Sequence, residues 1–279
     1  MDVAFELLAE GLGVGSAPPG WRPLTAQPLL ILVGVTGVGK TTTVRAIQRL
    51  RPDLKVLPNR RFLADRLVIP AVQRAWGEEV HPVTDRVQRF AYTRAYREQH
   101  PGGLAHALST LILDPTQWPG LLLFDGLRGV DEVRFAAQAL PKAHFGVLHA
   151  PDSVRVERLL TRRDAFDQVE SQAAGAGLRW SDIPESEELL SPEERERLAG
   201  LVTQGVIAPD DLRAKIAIVA AERRNYDPAG AINVLQTLAP GRTTIVDTTQ
   251  ATPDEAAAQI LADASGWNAD EADRADRRG

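Results

Sequence analysis

The sequence predicts an α/β fold: a three-layer α/β/α domain built on a five-stranded parallel sheet, with a helical insertion. Three observations predict it. Residues 29–33, Leu-Leu-Ile-Leu-Val, form an unbroken apolar run of strand length, as burial on both faces requires, and a glycine loop and a helical stretch follow directly. Residues 121–124, Leu-Leu-Leu-Phe, form a second such run that ends in a carboxylate, Asp125. Further short apolar runs alternate with stretches of helical periodicity, the rhythm of parallel strands joined by crossover helices.

The loop after the first run reads Gly34-Val35-Thr36-Gly37-Val38-Gly39-Lys40-Thr41 and fits G-x-x-x-x-G-K-[ST], the phosphate-binding loop. Strand, glycine loop and helix are the setting this motif needs. Each residue type has a physical reason. Glycines let backbone N–H groups turn inward where a side chain would block the phosphates. The helix that begins near Lys40, marked by Val44, Ile47 and Leu50, points its positive end at the anion. The Lys40 ammonium reaches the β- and γ-phosphates, and the Thr41 hydroxyl suits Mg²⁺. ATP and Mg²⁺ are therefore the expected ligands. The nucleotide-binding candidates are Gly34, Thr36, Gly37, Val38, Gly39, Lys40, Thr41 and Thr42, with Lys40 also catalytic.

The chain has 279 residues, 44% hydrophobic and 25% charged, which allows one large globular domain or two small ones. Cysteine is absent, which excludes a disulfide framework and thiolate chemistry. The start carries Asp2 and Glu6 without a basic segment, so no secretory signal is expected. No apolar run approaches the roughly 20 residues of a membrane span, and a cytoplasmic address is expected. A net charge of −5 argues against a general nucleic-acid binder. The basic residues are arginines except Lys40, Lys55, Lys142 and Lys215. The histidines show no metal-ligand spacing, and His144 and His149 fall on opposite faces of one expected strand.

Residues 1–27 read as an N-terminal arm: a short amphipathic helix over 2–10, then a loop rich in glycine and proline, packed on the main domain through Trp21. The core spans 28–169 and 241–266. Its second strand is Lys55-Val56-Leu57, closing at Pro58-Asn59. Residues 60–110 read as helical and arginine-rich, with one helix over 84–99, a break at His100-Pro101-Gly102-Gly103 and another helix over 104–113. After Asp125 come a helix over 131–140, a strand over 144–149 and a helix over 152–163; beyond the insertion come a strand over 243–247 and a helix over 253–264. Residues 170–240 break the alternation. They open on small residues and continue with helices over 191–201, 209–224 and 229–238, the first announced by Ser191, Pro192 and Glu194. This segment is the insertion or lid extension, and a candidate surface for a protein partner. Asn225-Tyr226-Asp227-Pro228 reads as a turn in which Asp227 or a neighbour caps the next helix. The polar residues 267–279 are expected to form a disordered tail.

One strand lies between the loop strand and Asp125, Gly126 rather than a glutamate follows Asp125, and no N-K-x-D guanine signature is present. In these features the chain resembles the kinase branch of the P-loop proteins, in particular nucleoside and nucleotide monophosphate kinases and dephospho-coenzyme A kinase-like proteins. The resemblance covers roughly residues 29–165 and 243–264. It rests on the glycine loop, on Phe124-Asp125-Gly126-Leu127-Arg128, and on Arg155-Val156-Glu157-Arg158-Leu159-Leu160-Thr161-Arg162-Arg163-Asp164. It implies a sheet order of 2-3-1-4-5, places Asp125 with Thr41 at Mg²⁺ and Arg128 near the acceptor, and makes Arg158, Arg162 and Arg163 catalytic arginines that close over the phosphates.

Phosphoryl transfer demands charge neutralisation and positioning more than covalent chemistry, and an arginine contributed to the transition state can be worth about 10³–10⁵ in rate. Kinases that phosphorylate a hydroxyl usually carry a carboxylate just after the second strand. Here that position reads Pro58-Asn59-Arg60-Arg61, with no acid until Asp65. Arg60, Arg61, Arg66 and Arg128 are therefore the candidates for holding a small acceptor that is already anionic, such as a monophosphate; Asp65 or Asp85 would be the base for a hydroxyl acceptor. Two other readings stay in view: an ATPase acting as a conformational switch with a partner-binding insertion, and a nucleotide sensor without turnover.

Overall fold

The computed structural model describes residues 4–161 and 178–276. The N-terminal arm forms strands, not a helix: β1 (Glu6–Ala9), β2 (Leu12–Val14) and β3 (Arg22–Pro23). Gly11, at φ 66°, makes the tight turn between the first two, and Leu8 and Leu12 point into the core. The arm docks through Leu8, Leu12 and Leu24. Trp21 packs instead within the arm, edge-on to Phe5 with ring centroids 5.1 Å apart.

The core then begins with β4 (Leu29–Val33), α1 (Lys40–Leu50) and β5 (Lys55–Val56). A helical stretch follows: α2 (Arg60–Leu63), a π-helical turn (Ala64–Val68), α3 (Ile69–Ala75), α4 (Arg86–Gln99) and α5 (Gly103–Ser109). Pro70 lacks an N–H, and the π turn just before it absorbs the lost helical bond. Asp85 caps α4, accepting the Gln88 N–H at 2.8 Å. The helix expected over 104–113 stops at Ser109. Leu111–Leu113 is a strand, β6, because it pairs antiparallel with both β2 and β3. The resulting four-stranded antiparallel sheet has the order β1-β2-β6-β3.

Next come β7 (Leu122–Leu127), α6 (Val130–Ala139), β8 (Ala143–His149) and α7 (Asp152–Thr161). After residue 178 follow α8 (Ser186–Leu189), α9 (Pro192–Thr203), α10 (Pro209–Tyr226), α11 (Pro228–Leu238), β9 (Thr243–Asp247) and α12 (Pro253–Asp276). Ser191 and Glu194 form a reciprocal capping box on α9. The last helix runs to Asp276, so most of the segment expected to be a disordered tail is helical.

β5, β7, β4, β8 and β9 form, in that spatial order, a parallel sheet. Leu29, Ile31 and Val33 face one layer of helices, which includes α5, α6 and α11; Leu30 and Leu32 face the other, α1 and α12. All five residues of β4 are buried, which is why the strand shows no polar alternation. Each such side chain contributes about 1.5–3 kcal/mol by leaving water. The segment read as one insertion divides. α8, α9 and α10 share a small core with α7, built on Leu198, Leu212, Ile216 and Val219, whereas Ala231 and Leu235 of α11 belong to the main core. No helix among the described residues is long and apolar enough to cross a membrane.

One polar chain crosses this core. Thr244 donates its hydroxyl hydrogen to Asp263 at 2.6 Å, so the His144 Nε2–H donates to Thr244 Oγ at 2.9 Å and His144 Nδ1 is left buried without a partner. Burial depresses the imidazole to about 4, against the opposing pull of Asp263 and with the help of Arg242. The unfolded chain takes up this proton at about pH 6.5, while the folded chain resists until about pH 4. Stability therefore falls as pH drops through that window, by up to about 3 kcal/mol from this group. Urea unfolding compared at about pH 7 and about pH 4.5 is expected to show the loss, and His144→Gln is expected to reduce its pH dependence.

Candidate active site

The glycine loop leaves β4 at Val33 and enters α1 at Lys40. Gly34, Gly37 and Gly39 take φ values of 151°, 87° and 93°. At Gly34 an added Cβ would lie 2.7 Å from the Leu148 carbonyl oxygen, and at Gly37 3.1 Å from the Arg155 backbone, so conformation and space both require glycine. Gly39 is the N-cap of α1 and offers no side-chain acceptor, so the positive end of the helix opens toward the loop. Lys40 folds over the loop, its ammonium donating to Gly34 O at 2.8 Å and Val35 O at 3.1 Å. Val38 is buried in the core beneath the loop. Thr41 is exposed on the first turn, and Thr42 donates its hydroxyl back to Gly39 O at 2.7 Å.

Asp125 stands opposite Leu32 in the β4–β7 ladder, and Val33 then pairs with Leu127, so Gly126 is a one-residue bulge at the strand end. Asp125 Oδ1 is buried and has no hydrogen-bond partner. An unpartnered buried carboxylate oxygen is costly, and a divalent cation would satisfy it.

The bulge also positions charge. Arg60 donates to Gly126 O at 2.8 Å and forms a two-pronged pair with Glu132 at 2.7 and 2.8 Å. Burial opposes charge on both partners, yet their mutual attraction holds Arg60 above and Glu132 below its ordinary value. Glu132 also accepts the Arg128 N–H at 3.1 Å. Both guanidiniums lie over the Tyr226 ring, Arg60 at 6.0 Å and Arg128 at 5.8 Å from its centroid.

A second carboxylate, Glu222 of α10, reaches the loop itself. It accepts the Thr36 N–H at 2.8 Å and the Thr36 hydroxyl at 2.5 Å. Arg128 donates to it at 2.8 Å and Arg155 at 2.6 Å. Arg155 is only 1% exposed; it also holds Thr36 O at 2.8 Å and Asp152 at 2.6 Å. Arg223 of α10 adds a contact to Asp152 at 3.1 Å. Two elements distant in sequence, α7 and α10, thus meet at Thr36 of the loop, and Arg128, just past β7, joins them through Glu222.

Arg158 braces the other side, donating to Gly37 O at 3.2 Å, Thr248 Oγ at 2.8 Å and Thr248 O at 2.7 Å. Beside it opens a cavity of about 330 Å³ lined by Gly37, Gly39, Thr42, Arg158, Thr248 and Thr252, within the size range of small-molecule sites. Arg162 and Arg163 lie outside the described residues. Of the expected acceptor arginines, Arg60 and Arg128 converge near Asp125. Arg61 and Arg66 do not: they line a separate cavity of about 430 Å³ with Asp65, Arg74, His81 and Arg89, to which the loop contributes no residue. Asp65 pairs with Arg61 and Arg89, and Asp85 caps α4, so both carboxylates are engaged away from the loop.

The sequence reading missed Glu222, Glu132 and Thr248. Thr248 follows a strand at its C-terminal end, where open parallel sheets place ligands, and was the one within reach of inspection. Glu222 lies in a polar helix end, Glu-Arg-Arg-Asn-Tyr, that carries no local signal.

No protein-family model matches the chain, and no curated protein matches it. Solved structures share a weak likeness with it, three of them as follows. TT1252 from Thermus thermophilus is 19% identical, with 70% of this chain and 97% of that one covered and a TM-score of 0.32. A sulfotransferase from Alicyclobacillus acidocaldarius is 12% identical, with 81% and 74% covered and a TM-score of 0.31. A sugar kinase from Janibacter sp. is 16% identical, with 66% and 98% covered and a TM-score of 0.26. Likeness this weak carries no inference about activity.

The Glu132–Arg60 pair gives a stability prediction. Glu132→Ala leaves the Arg60 guanidinium, whose side chain is 28% exposed, without its carboxylate and is expected to cost about 1.5–3 kcal/mol in urea unfolding. Glu98→Ala breaks an exposed pair with Arg94 and is expected to cost under about 1 kcal/mol.

Proposed function

We propose that this chain transfers a phosphoryl group from ATP, with Mg²⁺, to a small anionic acceptor. The observation that carries the reading is the buried, unpartnered Asp125 Oδ1 at the end of the strand next to the glycine loop. In this reading the loop and the N-terminus of α1 hold the phosphates, and Thr41 and Asp125 hold Mg²⁺, a set of hard oxygen donors suited to that ion. Mg²⁺ would supply charge neutralisation on the phosphate oxygens. Lys40 leaves its two loop carbonyls for the phosphates. Arg128, Arg155 and Arg158 surround the loop with guanidinium charge, which favours phosphoryl transfer through positioning and electrostatics. The base of the nucleotide has space in the cavity beside Arg158 and Thr248.

The acceptor reading rests on charge. Asp65 and Asp85, the carboxylates that the sequence offered as a base, are both engaged away from the loop. An acceptor that already carries a phosphate needs no such base and would suit the guanidinium charge of Arg60 and Arg128 beside the Gly126 bulge. A second reading, ATP hydrolysis as a conformational switch, draws support from the contact of α10 with the loop through Glu222. In that case the α8–α10 unit is the surface for a protein partner.

ATP turnover with Mg²⁺ across nucleoside monophosphates, nucleosides and dephospho-coenzyme A separates the two. ADP release that climbs steeply with one phosphorylated acceptor supports transfer, steady release without any acceptor supports the switch, and faster phosphorylation of a nucleoside than of its monophosphate overturns the acceptor reading. Lys40→Ala is expected to lower turnover by at least about 10²-fold. Asp125→Asn is expected to shift the Mg²⁺ titration to higher concentration; an unchanged titration would remove Asp125 from the metal site.

A further inference from the structure

The Glu222 carboxylate sits where the chain has assembled donors for an anion. Its two oxygens take four hydrogen bonds: Thr36 N–H and Arg155 on Oε2, Thr36 hydroxyl and Arg128 on Oε1. Two guanidiniums, a backbone amide of the phosphate loop and a hydroxyl make up the donor set of a phosphoryl site. The fit is incomplete in one respect. Arg128 Nε is buried and has no partner, donor capacity that a carboxylate with two oxygens leaves unused and a phosphoryl group with three could take. Glu222 is itself buried, 7% exposed, and arrives from α10, 186 residues along the chain from Thr36.

We propose that Glu222 stands in for the terminal phosphoryl group of a bound nucleoside triphosphate, which displaces it and frees α10 from the loop. The proposal rests on the nucleotide reading above and adds the regulation of that site. A third phosphate would need the donors that Glu222 now occupies, the Thr36 N–H, the Arg128 guanidinium and the Arg155 Nη2, so carboxylate and phosphate exclude each other by competing for the same hydrogens and by their like charge. Once displaced, α10 loses the four bonds of Glu222. It keeps its apolar packing through Leu212, Ile216, Val219 and Ala220. The α8–α10 unit is thus a two-position element whose balance is set by the presence of a third phosphate. A diphosphate leaves Glu222 in place. The coupling is reciprocal, so weakening the Glu222 contact strengthens triphosphate binding.

The experiment is calorimetric titration with ADP and with a non-hydrolysable ATP analogue, both with Mg²⁺, on wild type and Glu222→Gln, together with hydrogen exchange across residues 209–226 of the wild type. The expected result is that Glu222→Gln binds the analogue about tenfold more tightly, a coupling of ordinary size, with ADP affinity unchanged. In the wild type the analogue, and not ADP, accelerates exchange in α10. If both nucleotides bind but leave α10 exchange identical, the stand-in role is overturned while the nucleotide reading survives. Weaker binding of the analogue to Glu222→Gln overturns it equally. If neither nucleotide binds the wild type, both readings fall together.

Discussion

The parallel pairing of β4 between β7 and β8 is the constraint on which the rest depends. It puts Leu32 beside Asp125, so that the glycine loop and the carboxylate emerge at the same edge of the sheet. It also buries β4 on both faces, which commits α1 and α12 to one side and α5, α6 and α11 to the other. The loop is then held from below by close contacts that only glycine allows, at Leu148 and at the Arg155 backbone. Ladder hydrogen bonds, apolar burial and loop sterics thus agree on one position for the glycine loop.

Around that edge, charge is balanced in two linked groups. Arg60 and Glu132 form a closed pair that also fixes the Gly126 carbonyl and the Arg128 N–H. Glu222 balances Arg128 and Arg155, with Asp152 completing the coordination of Arg155. Arg128 belongs to both groups, by its backbone to the first and by its side chain to the second. Tyr226 covers the seam, and Asp227 beside it adopts φ 41° to turn α10 into α11 while capping the latter through Gly230 N–H. The glycine loop and α10 are therefore joined through a few side chains.

Much of the architecture was legible in the chain because it is local. The run Leu29–Val33, the motif through Thr41, the run ending at Asp125 and the capping box at Ser191 each announce themselves within a few residues. The arm was misread for the opposite reason. Four residues such as Glu6–Ala9 are compatible with either helix or strand, and their conformation is settled by a ladder that reaches β6, about a hundred residues away. The same ladder converts Leu111–Leu113 from the end of a helix into a strand. Arg61 and Arg66 were grouped with Arg60 because they are neighbours in sequence, but their positions around the helix point them into a different cavity.

The sequence by itself determined the glycine loop, the strand that carries it and the acid at the neighbouring strand end. Glycine spacing, lysine and buried apolar runs act over distances shorter than one element. Only the tertiary structure decided which charges meet there. Arg155 is buried against the loop and Glu222 arrives on it from the far end of an inserted helix. Ion pairs between distant elements leave no periodicity in the chain. Their strength comes from the desolvated setting that folding creates, and outside it the same residues are indistinguishable from a solvated helix surface.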